Sequence, residues 1–335
     1  MKIIVDIFGG DNAPAEIIKG CAEALKAEPR LSIVMSGAAG AVEDGIREYN
    51  IERGRVEVID APDVITNDDV PTDAVRRKKD SSLVRALTAL KERDDIDGMV
   101  SAGSTGAVLA GAIFKVGRIK GIERPALAPL LPTADGREVC LIDCGANVDS
   151  RPEFLARFAL LGASYMRAVY GLADPRVGLV SNGVEDKKGN ELTRAAFALL
   201  KEMPVNFVGN MEARDALSGN FDVLVCDGFV GNVLMKSVEG TAALVMKMLK
   251  GAVMKSAAAK FGALFMRKAF KSLKRDMDYN SKGGAPLLGV EKIIVKSHGS
   301  SKSESVKASV LQAVKMAEGD LIGKIKAGLN AGADK

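Results

Sequence analysis

The stretch Val139-Cys140-Leu141-Ile142-Asp143-Cys144-Gly145-Ala146-Asn147 passes from an apolar, partly β-branched run into a tight polar turn, and Pro152 then opens a helical pattern whose apolar stripe takes in Phe154, Phe158 and Leu161. Buried strand, polar turn and amphipathic helix in that order make one βα unit. The same cycle recurs on both sides of it. Residues 3–7 lead into Phe8-Gly9-Gly10-Asp11-Asn12-Ala13-Pro14, where Pro14 suits a first helical turn and the helix should run to about Lys26. Residues 98–101 lead into Ala102-Gly103-Ser104-Thr105-Gly106 and an Ala-rich helix. Residues 177–181 lead into Asn182-Gly183-Val184-Glu185-Asp186-Lys187-Lys188-Gly189-Asn190, and residues 222–226 into Asp227-Gly228-Phe229-Val230-Gly231-Asn232. Repeated βα units predict an α/β fold with a parallel sheet. Ligands of open α/β sheets bind beyond the carboxyl ends of the strands, so these five turns should converge on one crevice.

Composition narrows the class. The 335 residues carry 47 Lys+Arg, 43 Asp+Glu and 47% hydrophobic side chains, enough to bury one large core or two modest ones. The net charge of +4 is too small and too evenly spread for a protein that wraps nucleic acid. Cys21, Cys140, Cys144 and Cys226 lack paired zinc spacing, which fits a reduced, cytoplasmic compartment. The opening Met1-Lys2-Ile3-Ile4-Val5-Asp6 reaches an acidic residue too soon for a signal-peptide core. Residues 98–114 are uncharged but rich in Gly, Ser and Thr, as expected of a buried strand, loop and helix rather than a membrane span. With no linker and no fixed-period repeat, residues 1–335 read as a single α/β domain with two lobes. The tail, residues 304–329, shows helical spacing through Val306, Val310, Val314, Leu321 and Ile325, a pattern for packing or dimer contact.

One segment departs from the even charge. Between Glu239 and Asp276 there is no acidic residue, while Lys247, Lys250, Lys255, Lys260, Arg267, Lys268, Lys271, Lys274 and Arg275 are all basic. Met254, Ala258, Phe261, Leu264, Phe265 and Ala269 recur at helical spacing, predicting a protruding, cationic amphipathic segment over residues 240–276. Two readings compete: a solvated helix packed on the body, or a surface for anionic lipid or an acidic protein.

Candidate chemistry sits in the turns. His298 is the single histidine, so Cys144 with His298 is the one conceivable Cys/His pair, against the plainer reading of Cys144 as a small buried thiol. Asp11, Asp143, Glu185 and Asp227 are scattered singly, which argues against a metal centre. The turn 101–106 has the form of a phosphate cradle at a helix start, without the Walker lysine or a GxGxxG spacing. Arg76-Arg77-Lys78-Lys79-Asp80-Ser81-Ser82 places cations and hydroxyls before a helix that Asp80 or Ser81 could cap.

Assembled in order, these motifs resemble the bacterial phosphate acyltransferases of the PlsX type. The likeness runs nearly end to end, through Val5-Asp6 with Gly9-Gly10-Asp11-Asn12-Ala13-Pro14, Arg77 with Lys79, Ser81 and Ser82, and Ser101-Ala102-Gly103-Ser104-Thr105-Gly106-Ala107. It continues through Asp143 with Gly145-Ala146-Asn147, Glu185 with Lys188-Gly189-Asn190, and Cys226-Asp227-Gly228-Phe229-Val230-Gly231-Asn232. Asp278-Tyr279, Gly283-Gly284-Ala285-Pro286-Leu287-Leu288-Gly289 and His298-Gly299-Ser300-Ser301 complete it. Ser104 stands where that family usually has Asn, and Ile7-Phe8 replaces its usual Ala-Met.

The resemblance implies an isocitrate/isopropylmalate-dehydrogenase-like fold related to phosphotransacetylases, a parallel-sheet sandwich. It also implies a homodimer on the inner membrane face, with no metal or cofactor. Fatty acyl-[acyl carrier protein] and inorganic phosphate would give acyl phosphate and free carrier protein, and the product would pass to a membrane glycerol-3-phosphate acyltransferase. Phosphate is then the nucleophile, and the protein needs cations and oxyanion donors rather than a nucleophilic side chain. Carried onto this chain, the catalytic candidates are Lys188, Asn147, Asp227, Asn232 and His298. Substrate contacts fall to Asp11, Asn12, Lys79, Ser81, Ser82, Gly103, Ser104, Thr105, Asn182, Glu185 and Asn190, and membrane contact to Phe261, Leu264 and Phe265. A short-chain phosphotransacetylase using coenzyme A, a noncatalytic membrane scaffold and a metal-dependent hydroxyacid dehydrogenase are the alternatives. Chain length, phosphate dependence and nicotinamide turnover separate them.

Overall fold

The computed structural model describes residues 1–277 and 283–333, so the Asp278-Tyr279 motif lies outside the described residues. Two sheets carry the fold. The larger runs in the order β3 (Val56–Asp60), β2 (Ser32–Gly37), β1 (Lys2–Asp6), β4 (Gly98–Ser101), β12 (Ile293–Lys296), β11 (Ala285–Leu288) and β5 (Ala126–Leu127). The smaller runs β6 (Leu130–Pro132), β7 (Glu138–Ile142), β10 (Val223–Val225), β8 (Arg176–Ser181) and β9 (Asn206–Glu212). Pairing is parallel except where β11 meets β12 and β5 and where β6 meets β7. The chain steps from one sheet to the other between β5 and β6, and there the Leu141 N–H donates to the Pro129 carbonyl at 3.0 Å.

Side-chain alternation in the strands feeds two apolar layers. Ile3 and Val5 of β1 enter one layer with Cys140 and Ile142 of β7, while Ile4 enters the other with Val139 and Leu141. Each layer therefore takes residues from both sheets. The helices Ala15–Ala27, Pro152–Tyr170 and Ser303–Glu318 cover the first, and Ser82–Glu92 and Thr105–Gly111 the second. The tail residues Val306, Val310, Val314, Leu321 and Ile325 are all buried in the first layer. Two helices carry them, Ser303–Glu318 and Leu321–Ala333, because Asp320 takes a left-handed φ of 49° and breaks the run.

Register decides where polar groups meet. Asp6 pairs with Ser101, and Ser101 with Lys296, so three neighbouring strands end in one polar row. The cationic segment departs from the expected bounds. Its first helix, Gly228–Met254, begins at the β10 turn rather than at residue 240, because the Asp227 side chain caps it by accepting from Val230 N–H at 2.9 Å. Two shorter helices, Ala257–Phe265 and Arg267–Met277, follow.

The long helix starts against backbone. A Cβ on Gly231 would stand 1.9 Å from the Asp143 carbonyl oxygen, so Gly231→Ala must push helix and turn apart. Urea unfolding should show a loss of about 2–3 kcal/mol. Gly240→Ala on the same helix, where a Cβ meets nothing within 4 Å, should instead gain up to about 1 kcal/mol.

Candidate active site

Asp6 is buried at the end of β1, where Ser82 Oγ donates to Oδ1 at 2.6 Å and Ser101 Oγ to Oδ2 at 2.7 Å. Gly103 N–H donates in turn to Ser101 Oγ at 3.0 Å, which fixes the turn after β4. Burial pushes the Asp6 carboxyl up against these bonds. In the same row Lys296 is 8% exposed, and its Nζ donates to the Ala102 carbonyl at 3.4 Å and to the Ser297 carbonyl. Burial pulls Lys296 down to about 8, against the charges of Asp6 and Asp11. Near neutral pH it is a mostly charged ammonium in a dry setting.

Beyond Lys296 the chain turns through His298-Gly299-Ser300-Ser301. Ser300 N–H donates to His298 Nδ1 at 3.2 Å, which leaves the proton of the neutral ring on Nε2. Burial and the neighbouring Lys236 and Lys296 hold His298 below its ordinary value, so it is neutral at pH 7. Across the gap, Asp143 is a buried hub. Its Oδ1 accepts from Leu127, Cys144 and Ala146 N–H at 2.8, 2.6 and 3.3 Å, and its Oδ2 from Asn147 N–H and Nδ2 at 2.6 and 3.0 Å. The Asn147 carbonyl then accepts from Gly228 N–H at 2.7 Å, seating the long helix that carries Asn232, Met235 and Lys236.

Between these walls lies a cleft of about 320 Å³. Its lining is mixed: Leu127, Pro129, Cys144 and Met235 are apolar, and Thr105, Asn232, Lys236, Lys296, Ser297 and His298 polar, with Gly145 and Gly284. Lys236 is exposed and paired with Glu239 at 2.8 Å. Cys144 is a thiol held up near 12 by burial and by Asp143, with Sγ 3.4 Å from Met235 Sδ, so it serves the cleft as an apolar wall. That settles the Cys144/His298 pair in favour of the buried thiol.

The structure brings some expected residues together and not others. Asn232, His298 and Thr105 line the cleft. Asp11, Gly103 and Ser104 line an adjoining hollow of about 200 Å³ with Phe8, Gly10 and residues 64–67. Asn12 is spent on the His298 turn, its Nδ2 donating to the Ser300 and Ser301 carbonyls at 3.1 and 3.3 Å. The expectation for Asn147 as an oxyanion donor is corrected, because both hydrogens of its Nδ2 are committed, to Pro125 O at 2.8 Å and to Asp143. Asp227 and Asn190 are helix caps, and Ser81 caps the helix Ser82–Glu92 while donating to Lys78 O at 2.8 Å. Ser82 is turned inward onto Asp6.

Lys79 and Lys188, expected as the phosphate cations, are exposed and do not line this cleft. Asn182, Glu185, Lys188 and Asn190 share the loop after β8, one strand beyond β10 at the same sheet edge; Asn182 Oδ1 accepts from Gly189 N–H at 2.8 Å. Among the described residues, that loop adds nothing to the cleft lining. The cations that do line it, Lys236 and Lys296, escaped the sequence reading. A signal existed for Lys296, a lysine closing the apolar run Ile293-Ile294-Val295 just before the single histidine. Lys236 carried only a helical offset of one turn from Asn232.

The chain matches the family described as "Fatty acid synthesis protein" over residues 1–324. A phosphate acyltransferase of Clostridium acetobutylicum is 47% identical over 325 residues, covering 97% of this chain and 98% of that protein. Among solved structures, a phosphotransacetylase from Streptococcus pyogenes superposes with a TM-score of 0.61 at 17% identity, covering 95% of this chain and 94% of the other. A 4-hydroxythreonine-4-phosphate dehydrogenase from Klebsiella pneumoniae does so at 0.55 and 15%, covering 95% and 99%. At such identities the likeness is one of fold, and it bears out the expected phosphotransacetylase-related, dehydrogenase-like architecture.

Lys296 also yields a stability prediction. Below pH 8 the native state bears the full cost of an ammonium held out of water. Between about 8 and the ordinary 10.5, native Lys296 is neutral while the unfolded chain still binds its proton, so stability rises with pH. Lys296→Met removes that cost, worth on the order of 3 kcal/mol. The stability gap between variant and parent, measured by urea unfolding at pH 7 and pH 10, should narrow at the higher pH.

Proposed function

Because this chain belongs to the fatty acid synthesis protein family of phosphate acyltransferases, we propose that its cleft joins inorganic phosphate to the acyl group of fatty acyl-[acyl carrier protein]. Family membership makes it an acyltransferase enzyme of fatty acid and phospholipid synthesis. The observation that carries the finer reading is that one cleft is lined by two cations, Lys236 and Lys296, by His298 and by the apolar Leu127, Pro129, Cys144 and Met235. An anion is thereby held next to an uncharged thioester. An oxygen of hydrogen phosphate attacks the thioester carbon and opens the C=O to an oxyanion; the C=O then re-forms as C–S breaks, and the phosphate hydroxyl proton ends on the departing thiolate. The products are acyl phosphate and the free thiol of the carrier.

Charge decides the roles. Lys236 and Lys296 hold the phosphate, and the Lys296 ammonium, fixed by two carbonyls, needs no reorganisation as the reaction proceeds. The Asn232 amide and the backbone N–H groups of the glycine turns receive the oxyanion. Neutral His298 offers Nε2–H to the leaving sulfur, a modest task because a thiolate leaves readily. Asp11, Gly103 and Ser104, in the adjoining hollow, take the outer phosphate oxygens or pantetheine. Lys188, in the loop after β8, and Lys79, in the turn before the helix Ser82–Glu92, are exposed and meet the acidic carrier. Residues 1–335 act as a single two-lobed domain, supported by core layers that both sheets share.

The helices Ala257–Phe265 and Arg267–Met277 supply the membrane side of the reading. Phe261, Leu264 and Phe265 are 65%, 68% and 78% exposed, and no described helix is long and apolar enough to cross a membrane. A homodimer lying on the anionic face of a bilayer through these side chains would release acyl phosphate close to a membrane glycerol-3-phosphate acyltransferase.

Palmitoyl-[acyl carrier protein] should lose its thioester only when inorganic phosphate is present, with the product trapped by hydroxylamine as acyl hydroxamate. Phosphate-independent loss, or faster turnover of acetyl-coenzyme A, overturns the assignment. Lys236→Ala and Lys296→Met should each lower kcat/KM for phosphate by about 10²–10³. Activity should also fall as pH rises through about 8, where Lys296 discharges. Leu264→Glu with Phe265→Glu should cut co-sedimentation with anionic vesicles by about tenfold or more while leaving turnover in solution intact.

A further inference from the structure

Two short helices start side by side at the rim of the hollow that adjoins the cleft. Thr105–Gly111 follows Gly103 and Ser104, and Pro71–Arg77 follows residues 64–67, all of which line that hollow. The helices touch at their first turns, where a Cβ on Gly106 would stand 2.7 Å from the Pro71 ring. They touch again further along, where a Cβ on Gly111 would stand 3.7 Å from Val75. Both therefore run away from the cleft in the same direction. At the far end, in the wide turn Ala112–Val116, the Phe114 ring lies under the Arg76 guanidinium, 5.2 Å from ring centre to Cζ.

This end is open and cationic. Phe114 is 50% exposed and Val70, just before the first helix, 61%. Arg76, Arg77 and Lys79 are exposed and Lys115 half-buried, and among the described residues none of the four pairs with a carboxylate. The neighbouring ion pairs use other groups, Lys78 with Asp69 at 2.8 Å and Arg85 with Asp80 at 2.6 Å. The helix Pro71–Arg77 holds one acid, Asp73, in its first turn, where it answers the helix dipole.

Unpaired cations around an exposed aromatic ring complement an acidic protein surface with an apolar contact within it. Position narrows the partner further. Phe114 stands nine residues, about 13 Å, along its helical run from Thr105, which lines the cleft. A partner seated at Phe114 reaches the cleft only through something long and thin, laid through the hollow past Thr66, Asn67 and Ser104. A thioester held on a flexible arm by an acidic protein meets that requirement. Another copy of this chain would set the same cations against one another, and a flat bilayer has no arm to send into the cleft.

We propose that Val70, Arg76, Arg77, Phe114 and Lys115 form the docking surface for an acidic carrier protein, whose arm enters the cleft through the hollow. The identity of the partner rests on the transferase reading above; the surface adds where that partner sits.

The full-length variants Arg76→Glu with Lys115→Glu, and Phe114→Ser, are compared with the parent on two thioesters. Decanoyl-[acyl carrier protein] presents protein and arm together, and decanoyl-pantetheine presents the arm alone. The expected result is a KM for the carrier-bound thioester raised about tenfold or more, with kcat, the KM for phosphate and turnover of decanoyl-pantetheine as in the parent. Added salt should lower kcat/KM for the carrier substrate in the parent and less so in the charge-reversed variant. An unchanged KM, an equal loss on both thioesters, or loss of anionic-vesicle binding in place of the KM effect overturns the proposal. Anisotropy of a dye-labelled, unacylated carrier protein separates the two claims. Carrier binding that the variants lose, in a parent without phosphate-dependent turnover, keeps the docking surface and removes the transferase reading. Turnover by the parent with undiminished carrier binding in the variants removes the docking surface.

Discussion

The carboxylate of Asp143 accepts from five donors and stands at the junction of everything else: the Leu127 N–H of the large sheet, three backbone N–H groups of its own turn, and the Asn147 amide. Burial alone would drive the acid to its neutral form, and the convergent donors oppose that. The result locks β5 of one sheet to the turn after β7 of the other. Through the Asn147 carbonyl and Gly228 N–H it also sets where the long helix begins. Glycine at 228 and 231 is required because the helix starts in contact with that turn; a Cβ on Gly228 would stand 2.6 Å from the Asn147 carbonyl oxygen.

With the walls fixed, the two cleft cations differ in kind. Lys296 is buried, held by carbonyls and costly to charge, whereas Lys236 is exposed on the helix and balanced by Glu239. On the proposed reading, the buried ammonium would supply a preorganised field and the exposed one a site that can admit and release an anion. Destabilising charge kept at a reactive cleft is the usual conflict between stability and function. Asp6 moderates it from β1, across the intervening β4, without pairing directly, since its oxygens are taken by Ser82 and Ser101.

The same helix that brings Asn232 and Lys236 to the cleft runs on to Met254, where two shorter helices carrying the exposed Phe261, Leu264 and Phe265 begin.

Most of the fold was legible in the order of residues, because alternation and helical period are local properties that burial imposes on every strand and helix. The βα order, the tail's core residues and a cap at Asp80 or Ser81 follow from such patterns, whereas Asp227, expected among the catalytic groups, proved to be a helix cap only in the structure. Break points were less so: the apolar stripe continues across Asp320, and nothing at residue 240 marks a boundary because the helix cap lies upstream at Asp227. The site divided along the same line. Asn232, His298 and Thr105 sit in motifs whose turns do reach the cleft. Asn147 and Ser82 carry the right chemistry, yet their donors are consumed by Asp143, Pro125 and Asp6, a competition visible only once distant strands are in register. Lys236 and Lys296 are ordinary lysines until β12 is set beside β4 and the long helix is seated on the Asp143 turn. Sequence by itself determined the elements and the kinds of group at their ends; tertiary structure decided which of those groups remain free to act, because hydrogen-bond capacity and desolvation depend on neighbours that are far away in the chain.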